Sequence, residues 1–193
     1  MYLCNSLPLV QIGWGFLGGL LAGIFITGGR KMLAPIIIKR NLSVGSISKL
    51  KESSGISWYI SVHVKANIMW NLLASNLEEV RATVDFIEQV DNTKVSRHYR
   101  ATWVEPDIDD ALIALQIGSK HEVRVATEAR TGVLKPVNEI QDNSLSGNQD
   151  VVLTLTSGSN ILGKWLFKQA ILGGMMQEVV PTKLRDKTSE LLR

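Results

Sequence analysis

"SWYISVHVKAN", residues 57–67, alternates Trp58, Ile60, Val62 and Val64 with Tyr59, Ser61, His63 and Lys65. Successive side chains leave a pleated backbone on opposite sides, so a period of two is the mark of a strand with one buried face. The pattern recurs along the chain. "EVRATVDFIEQ" turns Val80, Ala82, Val84 and Phe86 inward, and "RHYRATWVE" puts Tyr99, Ala101 and Trp103 on one face. "HEVRVATEA" offers Val123 and Val125, "DVVLTLTSG" offers Val151, Leu153 and Leu155, and "GKWLFKQAIL" offers Trp165 and Phe167. Turn-forming clusters separate these runs at "VDNTK", "IGSKH" and "TSGSN". After residue 90 no long segment follows the 3.6-residue helical period. Residues 57–180 are therefore expected to form an all-β, antiparallel domain. Its length, about 120–130 residues, suits an immunoglobulin-like sandwich, with a small barrel as the second choice.

Three segments of this region are less regular. "NIMWNLLASNLEEV", residues 67–80, is compatible with a short helical turn or an apolar loop. "TGVLKPVNEIQDNSLSGNQD", residues 131–150, reads as a long loop, either a partner contact or a mobile connection. The charged tail 181–193, "PTKLRDKTSELLR", suggests an exposed helix after Pro181 that presents Leu184, Leu191 and Leu192. The strand "WYISVHVKAN" followed by "VRATVDF" resembles a pattern found in membrane-tethered sandwich domains. That resemblance covers residues 57–90 only and implies a fold, not an activity.

Ahead of the domain lies a segment of another kind. From Leu9 to Gly29 no side chain is charged. As a helix this stretch is about 30 Å long, the hydrocarbon thickness of a bilayer. The segment begins after the short N-terminal piece 1–8 and has no polar face, while Trp14 suits the membrane interface. The basic residues follow the apolar run instead of preceding it, opposite to a cleaved export signal. The expectation is one permanent transmembrane helix in the cell membrane. Lys and Arg are retained on the cytoplasmic side, which places the N-terminus outside and the domain in the cytoplasm. Gly15, Gly19 and Gly23 recur every four residues with Gly18 and Ala22 beside them, so one face of the helix is nearly bare backbone. Such a face admits a second transmembrane helix, in a homo- or hetero-oligomer.

Residues 30–56 read as a basic juxtamembrane neck and linker. Pro35 is expected to end any helix near residue 34, leaving "APIII" at the membrane interface and "SKLKESSG" as a flexible connection. Arg30, Lys31, Lys39, Arg40, Lys49 and Lys51 are candidate contacts to membrane lipid. The first 51 residues contain no Asp or Glu, so the remaining chain holds 15 basic against 18 acidic side chains. The basic character therefore belongs to the neck, and a nucleic-acid partner is not expected for the acidic domain.

No arrangement of catalytic residues stands out. The one cysteine, Cys4, excludes an intrachain disulfide and a cysteine metal cluster. His63, His98 and His121 show no metal-ligand spacing, and "EPDIDD", Glu105 to Asp110, lacks the calcium-loop pattern. No nucleophile elbow, phosphate-binding loop or dinucleotide fingerprint is present. The expectation is a non-enzyme without cofactor, metal or catalytic residues. Its preferred role is an accessory subunit of a membrane assembly whose sandwich binds a protein partner. The alternative is an outward-facing ligand- or carbohydrate-binding module using aromatics such as Tyr59 and Trp70. A third possibility is an enzyme built around His98, His121 and the Glu105 to Asp110 cluster.

Overall fold

The computed structural model describes residues 29, 31–53, 55–66, 76–90, 93–105, 108–110, 112–138 and 144–184. Within them a helix, α1 (31–41), leads into thirteen strands. These are β1 (Leu42–Glu52), β2 (Gly55–Val64), β3 (Leu77–Val90), β4 (Thr93–Arg100), β5 (Thr102–Glu105), β6 (Ile108–Asp110) and β7 (Leu112–Leu115). There follow β8 (Lys120–Ala129), β9 (Leu134–Pro136), β10 (Gln149–Ser157), β11 (Asn160–Leu172), β12 (Met175–Met176) and β13 (Thr182–Leu184). They form two antiparallel sheets packed as a sandwich, as the period-two reading requires.

The first sheet runs β1-β2-β8-β5-β6, with β9 also paired to β8; the second runs β12-β11-β10-β3-β4, with β13 on β11 and β7 on β3. Two strands share each of several edges. β5 takes Glu122 to Arg124 of β8 while β9 takes Ala126 to Glu128. β4 pairs with Thr83 to Val90 of β3, and β7 with its first residues. The core lies between the sheets and contains every inward residue named from the sequence, from Trp58, Ile60, Val62 and Val64 to Trp165 and Phe167, with Tyr99 partly buried at its edge.

The central tie is Trp103. It is fully buried on β5, and its indole N–H donates to the Val80 carbonyl of β3, in the opposite sheet, at 3.1 Å. Val80 follows a bulge in β3, where Glu79 has a left-handed φ of 56° and the register with β7 slips. A bulge interrupts the regular ladder, and here an adjacent carbonyl accepts a bond across the core. A second bulge, in β11, puts Gln169 at φ 50°, and its amide donates to Asp150 Oδ1 at 2.7 Å. Trp58 differs from Trp103. It is also buried, at 4% exposure against 0%, but its Nε1 has no hydrogen-bond partner among the described residues.

Several expectations need correction. The sandwich starts at Leu42, not at 57: "SKLKESSG" is the end of β1 and its turn, paired residue by residue with β2 from Leu50↔Ser57 to Glu52↔Gly55. Its polar outer side chains are those of a sheet-edge strand, which resemble a linker when the partner strand is unknown. Pro35 does not end the helix. α1 continues to Asn41, and burial of Ala34, Ile37 and Ile38 offsets the cost of a missing backbone donor. The long 131–150 loop contains β9 and a buried Leu145 whose amide donates to Leu134 O at 2.8 Å. Thr182 to Leu184 form a strand on β11 instead of starting a helix, and 185–193 lie outside the described residues. Residues 67–75 also lie outside, whereas Leu77 to Val80 open β3.

The two tryptophans provide a test of the tie. Trp103→Phe strands the Val80 carbonyl in the core, whereas Trp58→Phe removes a donor that had no partner. Trp103→Phe is expected to cost about 1–3 kcal/mol more than Trp58→Phe, measured by urea unfolding of both variants. Equal losses would show that the indole bond contributes nothing to stability.

Candidate functional site

Residues 31–41 explain why one end of the sandwich differs from the other. At 3.6 residues per turn, Ala34, Ile37, Ile38 and Asn41 fall on one side of α1, and Met32, Leu33, Ile36 and Arg40 on the other. The first side closes the sandwich: Ile38 is 0% exposed and belongs to the core. The second side faces out, with Met32 80%, Ile36 53% and Leu33 44% exposed. Apolar side chains thus line both faces. At the C-terminus, Asn41 Nδ2 donates to Ile37 O at 2.8 Å, and Asn41 O accepts from the amide of Lys65 at 3.0 Å. Lys39 and Arg40 in this last turn complement the negative end of the helix dipole.

Two grooves flank α1. One, of about 450 Å³, is lined by Lys31, Ala34, Asn76, Leu77 and Glu78. The other, of about 500 Å³, lies between Pro35, Ile36 and Lys39 of the helix and residues 159–162 of the β10–β11 turn. There Ile161 is 43% exposed, extending the apolar outer face of α1 onto the sandwich.

A polar cluster lies on the outer side of the first sheet, toward the other end. Tyr59 donates its hydroxyl to Glu52 Oε1 at 2.5 Å, and Arg124 Nε donates to the same hydroxyl at 3.3 Å. The Arg124 guanidinium also lies over the Tyr59 ring at 5.6 Å, with Nη2 4.0 Å from Glu52. The Tyr59 hydrogen bond, opposed by burial and aided by Ser57 and the Arg124 charge, holds the Glu52 carboxyl below its ordinary value. The cluster joins β1, β2 and β8. Beside it opens a pocket of about 590 Å³ lined by Lys51, Glu52, Ile56, Glu128 and Arg130, among others. Arg130 Nη2 donates to Ser53 O at 2.5 Å across its mouth.

The residues singled out in the sequence do not converge on one site. Of the six candidate lipid contacts, Lys31, Lys39 and Arg40 lie on α1, while Lys49 and Lys51 lie far along β1. A strand rises about 3.3 Å per residue, so Lys51 is roughly 30 Å from the start of β1. The Lys49 ammonium is 3.7 Å from Glu178 and 5.9 Å from the Trp58 ring centre. Arg30 lies outside the described residues, as do Gly15, Gly18, Gly19, Ala22 and Gly23 of the proposed packing face. Among the described residues no helix is long and apolar enough to cross a membrane, and the 9–29 stretch falls outside them except for Gly29.

The histidines are held apart. His98 Nδ1 lies 2.6 Å from Asp85 Oδ1 on the outer side of the second sheet. His121, in the first sheet, lies 2.8 Å from Ser119 Oγ and meets Trp103 edge-on at 6.1 Å. Glu105 and Ile108 to Asp110 form the β5–β6 hairpin, and no group of three potential metal ligands occurs among the described residues. Tyr59, offered as a groove-lining aromatic, is 4% exposed, because Arg124 and Glu52 cover it; Trp70 lies outside the described residues. Sequence reading missed both α1 and the Glu52–Tyr59–Arg124 cluster. The i, i+3, i+4 spacing of Ala34, Ile37 and Ile38 is a helix signal that the reading of Pro35 as a helix end passed over, and the cluster leaves no local signal because its members come from three strands.

No protein family, curated protein or solved structure matches the chain.

The depressed Glu52 group gives a pH test. Its contribution to stability is complete above the ordinary glutamate range and is lost as pH falls through the lower, folded value. Stability of the wild type is therefore expected to fall more steeply than that of Glu52→Gln as pH drops below the ordinary glutamate range. Tyr59→Phe removes the largest cause and should flatten the same slope. Parallel curves for wild type and Glu52→Gln would show that the cluster does not contribute.

Proposed function

We propose that this chain is a single-pass, membrane-anchored accessory subunit of a membrane protein assembly. In this reading residues 9–29 are the anchor, and Gly15, Gly18, Gly19, Ala22 and Gly23 pack against another transmembrane helix. The sandwich lies on the cytoplasmic side and binds a protein partner. The observation that carries the reading is the junction between the two parts. The uncharged stretch ends at Gly29, and the helix that follows keeps Met32, Leu33 and Ile36 exposed while sealing the sandwich with its other face. Such an uncovered apolar face beside basic residues has a use at a lipid or protein surface and a cost in water.

Strand order supports an immunoglobulin-like reading of the sandwich. β1-β2-β8-β5 follow the A-B-E-D order of that fold, and β11-β10-β3-β4 follow G-F-C-C′. Two hallmarks of antibody domains are missing: the intersheet disulfide, since Cys4 is the one cysteine, and a tryptophan on the C strand, β3. Trp58, Trp103 and Trp165 fill the core from other strands. With α1 against the β10–β11 turn, which is the F–G connection in this scheme, the outer sheet faces and the opposite end remain for a partner. The alternative, an outward-facing ligand-binding module, loses one of its aromatics with the burial of Tyr59.

The test is extraction of the native protein in mild detergent, followed by size analysis and mass spectrometry. The wild type is expected to travel with a defined set of membrane subunits. A Gly15→Leu, Gly19→Leu, Gly23→Leu variant should remain in the membrane fraction and lose them. Migration of the wild type as a monomer or homodimer would overturn the accessory reading, and release by alkaline carbonate would overturn the anchor.

A further inference from the structure

The two faces of α1 also define how the sandwich sits. Met32 and Leu33 follow Gly29 by three and four residues, and Ile36 by seven. At 1.5 Å per residue, Ile36 lies at most about 10 Å from the end of the uncharged stretch. The headgroup layer on each side of a bilayer is roughly 5–8 Å thick. If residues 9–29 span, Met32 and Leu33 fall within that layer at any helix angle, and Ile36 falls within it when α1 tilts toward the membrane plane. The sandwich buries the opposite face of α1, so no rotation of the helix hides Met32, Leu33 and Ile36 against the protein. Ile161 continues the same surface across the groove. Charge agrees with this placement: α1 carries Lys31, Lys39 and Arg40 and no acidic residue.

We infer that the α1-capped end of the sandwich docks on an anionic lipid surface. Met32, Leu33, Ile36 and Ile161 are immersed in the headgroup–acyl boundary, and Lys31, Lys39 and Arg40 are set against lipid phosphates. The inference rests on the anchored reading above and goes beyond it, because a tether alone leaves the domain free to tumble, whereas docking fixes its orientation. β1, β2, β8, β10 and β11 all extend, in alternating directions, between the α1 end and the opposite end, so the sandwich stands away from the membrane along their length. The β11–β12 turn, with its exposed Met175, is carried roughly 30 Å from the lipid. The Lys51–Glu52–Arg130 pocket is raised with it.

The test places single cysteines in the full chain with Cys4→Ser, at Ala22, Met32, Ile36, Ile161 and Met175. Each is labelled with an environment-sensitive fluorophore and reconstituted in phosphatidylglycerol nanodiscs containing lipid quenchers placed both near the headgroup and along the acyl chain, the latter to report on Ala22. Labels at Met32, Ile36 and Ile161 are expected to be quenched several-fold more than the label at Met175. Lys39→Glu with Arg40→Glu should abolish the excess at Ile161. Quenching at Ala22 without quenching at Ile36 and Ile161 would overturn docking and leave the anchor intact. Quenching at Ile36 and Ile161 without Ala22 would retain docking and remove the span; quenching at none of the three would overturn both. An Ile161 signal unchanged by the charge reversal, or unchanged in phosphatidylcholine discs, would overturn the anionic part of the inference.

Discussion

Burying an indole N–H costs free energy unless it finds an acceptor, and for Trp103, unlike Trp58, the acceptor comes from the sheet opposite its own. Trp103 on β5 reaches the Val80 carbonyl on β3, which fixes how far one sheet slides over the other. Nonpolar packing alone does this poorly, because burial is proportional to area and indifferent to direction. The rest of the architecture is consistent with that tie. The chain crosses between sheets at Ala101, whose amide still bonds Ala82 in the second sheet at 3.1 Å while Thr102 already pairs with Arg124 in the first. The bulge at Glu79 lies immediately before the accepting residue. Two departures from regular β structure thus flank the same hydrogen bond.

Alternation was enough to identify the inward face of the named strands, because one-sided burial imposes the period directly on the sequence. Trp58 to Val64, Val80 to Phe86 and Val151 to Leu155 could be read without knowing what they face. Edges were harder. β1, with Lys49, Lys51 and Ser48 exposed along much of its length, has the composition of a linker, and only its pairing with β2 makes it a strand. β9 is three residues long and carries Pro136, which suits an edge and carries little pattern of its own. Tyr59 defeated the alternation rule for a different reason. The register with β8 slips between Trp58 and Tyr59, and the outward tyrosine is covered by Arg124 and Glu52 from neighbouring strands. The three-strand polar cluster could not be read because strand order is not written in any local pattern.

α1 shows how a propensity rule yields to tertiary packing. A proline within a helix removes a backbone bond and costs about 3 kcal/mol in an exposed helix. Fully burying one isoleucine returns roughly 1.5–3 kcal/mol, and α1 buries Ile37 and Ile38 together with Ala34. The open end of a sandwich needs a cover, since inward side chains at strand ends would otherwise meet water. A short amphipathic element supplies it here. The same element retains a second apolar face, and that feature has no explanation within the sandwich itself.

The two ends of the domain are therefore chemically unlike. One is a helix without acidic residues, apolar on the outside and flanked by grooves of about 450 and 500 Å³. The other carries Glu52, Glu128, Lys51 and Arg130 around a pocket of about 590 Å³, held open by turns at residues 53 and 130–132. In the Glu52–Tyr59–Arg124 cluster each group is bonded or charge-paired to another, so its visible work is to join β1, β2 and β8 below that pocket. That cross-strand floor under a polar-rimmed recess is a candidate surface for the protein partner of the proposed reading. If the opposite end rests on lipid, this recess faces away from the membrane at a fixed height, and the strands between act as the spacer.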